Sequence, residues 1–182
     1  MKGRRRLGAL VVLLMLLPAV ACAGTTGTVE APGQADAIDA SGAFDAFVRD
    51  NGFAGLGRAT VRVGGAAFEA VVADSPAARE RGLQGVDAVP EGAGMLFIFP
   101  DAVGSEGRAG FWMLETSVAL GIAFAADGTL VGVATMQPCP ARPCPITHPG
   151  VEYDVALEVA AGQLERAGVG PGARLTWEPA DG

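Results

Sequence analysis

Few residues in this chain are suited to chemistry, and they are scattered. Cys139 and Cys144 enclose Pro-Ala-Arg-Pro, His148 is the only histidine, and Glu115 and Glu158 are carboxylates set inside apolar runs. Two cysteines this close pair readily outside the cytoplasm, and closing so short a loop stabilises a fold by about 2 kcal/mol in the chain-entropy picture. Redox exchange is the sharper alternative, but the Cys-x-x-Cys spacing and an adjacent thiol-activating base are both missing. A metal site needs more ligands than the pair and His148 supply, so no metal or cofactor is expected.

His148 lies between Thr147 and Pro149 in a proline-rich stretch and reads as an exposed loop residue. Serine catalysis would need Ser41, Ser75, Ser105 or Ser117, none of which sits in a nucleophile-elbow motif. Glu115 and Glu158 read first as strand-edge charges facing water. Alternatively, one of them pairs with Arg81 to fix a helix, or the two share a cleft as the acid and base of a hydrolase. Trp112 and Phe111 read first as core and second as a stacking platform for a ligand. The weak candidates for a ligand site are therefore Trp112, Glu115, Glu158 and Arg81; no catalytic residue is assigned.

The elements that must position these residues come from a chain of 182 residues, enough for one domain with an ordinary core. Half the residues are apolar but only 6% are aromatic, and 27 Gly with 12 Pro favour short strands and turns over long helices. The 20 acidic against 13 basic residues, a net charge of −7, repel nucleic acid and anionic lipid, and no basic stripe opposes that.

Some of those few basic residues belong to a removable leader. Met1 to Arg6 is basic, Leu7 to Leu17 is apolar, and small residues lead to Ala21. At 1.5 Å per residue the apolar run spans roughly 16 Å of a hydrocarbon core about 30 Å thick, so a signal peptide over 1–21 is expected and not a permanent membrane span. Cys22 follows Ala19-Val20-Ala21 and resembles the acylated cysteine of a bacterial lipoprotein, with Ala19 in place of the usual Leu. The alternative is ordinary cleavage and a soluble secreted or periplasmic protein. Ala23 to about Ala40 has almost no large apolar residue and is expected as a flexible tether, followed by a short docking helix over Ser41–Phe53 capped by Ser41 and stopped at Gly52. Residues 22–57 thus form anchor, tether and docking helix, and 58–179 the folded domain.

Within that domain, Gly64-Gly65 and Asp127-Gly128 each separate two apolar runs and predict hairpins. Ser75-Pro76 opens a helix that ends at Gly82. Gly94 to Phe99 is a strand with no polar face, Tyr153 to Val159 is another, a short helix covers Gln163–Ala167, and Ala173–Glu178 is the last strand. About seven short strands with two or three short helices predict a mainly β fold, a compact antiparallel sandwich or barrel of jelly-roll type.

Four segments carry a resemblance: ADSPAARERGLQG (Ala73–Gly85), GMLFIFP (Gly94–Pro100), FWMLETSVALGIAFAADGTLVGV (Phe111–Val133) and YDVALEVAAG (Tyr153–Gly162). Their order resembles the bacterial and archaeal domain of unknown function family 192, over about Ala59 to Trp177. The resemblance implies a compact β-rich domain of sandwich or jelly-roll type and no established activity. The family usually reads FWMKNT then LDIAF; here Leu114, Glu115 and Gly121 replace its Lys, Asn and Asp, and Ala160 replaces a later Asn. Arg81, Trp112, Met113, Thr116 and Glu158 keep matching positions.

The functional expectation is an exported, lipid-anchored, non-enzymatic binding or accessory module at the cell envelope. Its partners would be the lipid membrane, through acylated Cys22, and an envelope protein or small ligand; nucleic acid is excluded. The alternative is an envelope hydrolase using Glu115 or Glu158 with Arg81.

Overall fold

Each of the two glycine-bearing turns returns the chain on itself. β1 (Gly57–Val63) pairs with β2 (Ala66–Ala73) across Gly64-Gly65, and β4 (Leu120–Ala126) pairs with β5 (Thr129–Met136) across Asp127-Gly128. Asp127 and Gly128 both have positive φ, 48° and 71°, the geometry of a tight hairpin turn whose twist matches its strands. Between the hairpins lie α2 (Pro76–Arg81) and β3 (Ala93–Val103), and after them β6 (Tyr153–Ala160), α3 (Gln163–Arg166) and β7 (Leu175–Pro179). A helix, α1 (Gln34–Asp50), precedes them all. The computed structural model describes residues 34–104 and 109–180, with side chains from residue 41 onward. The expected leader, Cys22, the tether as far as residue 33 and residues 105–108 of the polar loop lie outside the described residues.

The strands form one seven-stranded mixed sheet in the order β5-β4-β6-β3-β2-β1-β7. All pairings are antiparallel except β2 with β3, which run parallel. The sheet is thus mainly antiparallel, as expected; for the one parallel pair, α2 and the segment after it carry the chain from the end of β2 back to the start of β3, the crossover such a pair requires. The sheet curls until its end strands touch at one isolated bridge, Thr129 with Arg174, without closing into a barrel. The fold is mainly β with three helices, consistent with a β-sandwich.

Both faces of the sheet are buried. Val61, Val63, Phe68, Ala70, Leu96, Leu157, Val159 and Leu175 fill the concave side. Phe44, Phe47, Phe53, Met95, Phe97, Ile122, Phe124 and Tyr153 pack on the other. β3, β4 and β6 at the middle of the sheet are therefore buried on both faces, which is why Gly94–Phe99 reads as a continuous apolar run. Gly94 has a second reason to be glycine, since a Cβ there would run into the Glu158 carbonyl oxygen on β6.

α1 starts at Gln34, earlier than the Ser41 expected from capping, so Ser41 lies inside the helix and residues 34–40 are helical where a tether was expected. Phe44, Phe47 and Val48 are buried and hold the second half of the helix to the domain. Once that half is ordered, adding earlier turns requires no new nucleus. The helix stops at Gly52, whose φ of 66° lets Phe53 N–H reach Val48 O at 2.8 Å and Gly52 N–H reach Arg49 O at 3.2 Å. Phe53 then packs on Phe47, with ring centroids 5.5 Å apart, completing a glycine C-cap with its apolar clasp.

Candidate functional site

Alternation along β6 decides where its carboxylate goes. Val155, Leu157 and Val159 face the concave core, so Ala156 and Glu158 face the other side, beside Met95 of β3 and Ile122 of β4. Glu158 sits in the middle of the sheet and is only 4% exposed. It is not the water-facing edge charge that its sequence context suggested, because β6 has a hydrogen-bonded strand on each side. Among the described residues its carboxyl has no hydrogen-bond or ion-pair partner. Burial accordingly pushes its pKa from the ordinary 4.5 up to about 8, so the group is mostly protonated at neutral pH.

Glu158 lines a pocket of about 290 Å³. Phe97, Leu120 and Tyr153 from the sheet lie beside it, together with Phe99. Phe111, Trp112, Met113 and Thr116 come from the segment that crosses this face between β3 and β4, and Arg79 to Gln84 come from α2 and the turn after it. The aromatic walls support one another. Phe111 meets Phe97 edge-on at 4.8 Å and Phe124 at 5.7 Å, and Phe124 meets Tyr153 at 5.0 Å. Burial also raises the Tyr153 phenol to about 12, so it stays neutral.

The crossing segment is pinned at both ends. Phe111 exchanges two backbone hydrogen bonds of 2.8 Å with Thr147, and Glu115 N–H donates to Cys139 O at 3.1 Å. Cys139 and Cys144 form a disulfide with Cα atoms 5.8 Å apart, within the usual range for such a bridge. Their loop brings the Arg142 guanidinium 4.2 Å from the Trp112 ring centre, on which it stacks. The disulfide loop thus supports the Trp112 side of the pocket.

Of the four weak candidates, Arg81, Trp112 and Glu158 line this pocket, whereas Glu115 is not among the residues lining it. Glu115 is exposed, in a turn with φ of 57°, and its carbonyl accepts from Gly85 N–H at 2.9 Å. Nor does Arg81 pair with Glu158. Its guanidinium donates to Gly52 O at 3.1 Å and to Asn51 O, and lies 4.6 Å from the Phe53 ring centre. It therefore holds the two carbonyls just past the end of α1, and the ion pair with a carboxylate considered for it is not formed with Glu158. Arg79 is occupied in a similar way, donating to Ile98 O at 2.8 Å and lying over Phe99.

Sequence reasoning missed Phe99, Tyr153, Arg79 and Arg142. They are brought in by the sheet (Phe99, Tyr153), by α2 (Arg79) and by the disulfide loop (Arg142), and no local motif marks them. Of the other nucleophile and base candidates, Ser41 lies inside α1, Ser105 lies outside the described residues, and the rest have structural partners. Ser75 caps α2 through Ala78 N–H at 3.2 Å, Ser117 donates to Asp87 at 2.9 Å, and exposed His148 accepts from Gly150 N–H. Among the described residues no three His, Cys, Asp or Glu side chains gather to hold a metal ion, and no helix is long and apolar enough to cross a membrane.

Residues 59–177 match the model of DUF192, a family described as uncharacterized ACR. Two solved structures are similar to the chain. One, from Sinorhizobium meliloti 1021 and provisionally labelled a transcription regulator, is 28% identical, covers 67% of this chain and 95% of its own, and has a TM-score of 0.55. The other, from Novosphingobium aromaticivorans DSM 12444 and of unknown function, is 26% identical, covers 68% and 88%, and has a TM-score of 0.57. No curated protein matches the chain.

Proposed function

Because the chain belongs to this uncharacterised family, whose model spans residues 59–177, we propose a function from the pocket itself: the domain is a non-enzymatic module that binds a small, largely apolar ligand. One observation carries the reading. Glu158, buried and without a partner among the described residues, lines an aromatic-walled pocket of about 290 Å³. A carboxyl in that position lowers stability relative to an apolar side chain of similar size. Its presence makes sense when something entering the pocket supplies its partner. The volume is near the lower end for ligand pockets, which suits a small molecule.

The hydrolase reading is weaker. It would use Glu115 or Glu158 with Arg81, but Glu115 does not line the pocket, and Arg81, which lines it with Glu158, is bonded to backbone carbonyls just past α1. The Sinorhizobium protein's label is a statement about that protein. Here 20 acidic against 13 basic residues argue against a nucleic-acid partner.

The module is exported and held at the cell envelope through acylated Cys22. The basic, apolar and small-residue order of residues 1–21 supports this reading, as does the Cys139–Cys144 disulfide, which suits an oxidising compartment. A Cys22→Ser variant should leave the membrane fraction and become soluble; equal retention of both proteins in the membrane would refute the anchor. For the binding function, native mass spectrometry of the purified protein should show a small molecule held one to one and released on denaturation. It should be lost when Ala109→Phe fills part of the pocket that Ala109 lines. Protein that carries no small molecule from cells, and takes up none from a cell extract, would overturn the reading.

A further inference from the structure

We propose that the ligand of this pocket is a small organic ammonium ion, its charged head against Glu158 and its apolar body against Phe97, Phe99 and Phe111. This rests on the pocket being a ligand site and adds the chemical class. The walls are aromatic, and ring faces attract cations. The buried group is an acid with no described cation bonded to it, so an incoming N–H donor of positive charge completes its ionised form. A divalent metal ion does not fit, since no second and third ligand of the usual kinds lie near among the described residues.

Among the described residues, the other charged and titratable groups lining the pocket are Arg79, Glu80 and Arg81 from α2, and Tyr153 from β6. The two guanidiniums are turned onto backbone carbonyls, and Tyr153 is held neutral. Among the described residues, β4 and the crossing segment contribute no charge to the lining.

Binding has a fixed proton balance. The neutral Glu158 carboxyl loses its proton to solvent, and the resulting carboxylate takes up the ammonium as an ion pair with N–H···O hydrogen bonds. Since the free carboxyl has a pKa of about 8, only about one molecule in ten is ionised at pH 7, and apparent affinity falls by that fraction. Affinity for the ammonium therefore rises about tenfold per pH unit below 8 and levels off above it.

Isothermal titration with phenethylammonium and its neutral analogue 2-phenylethanol tests this between about pH 6 and about pH 9, in two buffers of different ionisation heat. The expected result is one-to-one phenethylammonium binding that strengthens toward pH 8, with close to one proton released per ligand at low pH, weak 2-phenylethanol binding, and loss of the ammonium site in Glu158→Gln. The pH series on the unaltered protein stands alone should that variant fail to fold. Binding of 2-phenylethanol as well as or better than the ammonium, with no proton release, would overturn the ligand class and leave the pocket reading standing. No binding of either probe, with Trp112 fluorescence unchanged, would sink both.

Discussion

Replacing Glu158 by Gln should make the protein more stable, and increasingly so as pH rises. The carboxyl has a pKa of about 8 in the folded protein against an ordinary 4.5, with burial as the cause. Between those values the folded state binds a proton that the unfolded state has released, so stability falls with rising pH. Below the lower value both states are protonated, and above the upper one both are ionised, so the effect begins near 4.5 and is complete just above 8. At 1.36 kcal/mol per pH unit the full loss is about 5 kcal/mol, a ceiling because water entering the pocket lowers it. Gln keeps the shape and cannot ionise, so the stability of the Glu158→Gln variant minus that of the wild type should climb by several kcal/mol (of order 3–5) from pH 5 to pH 9. Urea melts at a series of pH values, followed by circular dichroism, give both curves, and taking the difference cancels every other titrating group. Parallel curves, or a variant that loses ground at high pH, would refute the reasoning that places this carboxyl out of water and without a partner.

Reducing the Cys139–Cys144 bridge, or replacing both cysteines by serine, should lower stability by about 2 kcal/mol. It should also change Trp112 fluorescence, because Arg142 is held over that ring by the same loop; an unchanged emission spectrum would count against this coupling. Glu115 has φ of 57°, a backbone region in which Asn is better tolerated, so Glu115→Asn should raise stability by about 0.5–1 kcal/mol in thermal melts. Arg81→Ala removes the hold on the two carbonyls just past α1 and should cost about 1 kcal/mol. Hydrogen exchange should accelerate at the amides of Phe53 and the end of α1, and unaltered exchange there would show that the guanidinium is not the latch.

Local turn chemistry was readable because it depends on a few adjacent residues. Gly64-Gly65 and Asp127-Gly128 sit where the chain reverses, Ser75 and Pro76 open α2, and Gly52 closes α1. The parallel pairing of β2 with β3 was not readable, since it is set by how the chain packs after α2 and has no periodicity of its own. The early start of α1 was hidden for a related reason: its second half is ordered by burial of Phe44 and Phe47, which intrinsic capping preference does not report.

The site was half legible. Arg81, Trp112 and Glu158 were singled out, and they do line one pocket. The sequence around Glu158, YDVALEVA, alternates, with Val155, Leu157 and Val159 on one face and Asp154, Ala156 and Glu158 on the other, which is the pattern of a strand with one face in water. The burial of Glu158 comes from the segments that cover that face, which the strand's own pattern does not report. Glu115 misled because it lies in a strongly apolar stretch, yet a left-handed turn sends it outward. Arg81 had a plausible anionic partner in the sequence, but its partners are carbonyl oxygens, which carry no sequence signature.

The most direct measurement is a carbon-13 NMR titration of the Glu158 side-chain carboxyl in the ligand-free protein. The account predicts a midpoint near 8, falling on addition of phenethylammonium. A midpoint near the ordinary 4.5 that no ligand moves would show a solvated or already partnered carboxylate, and would contradict it.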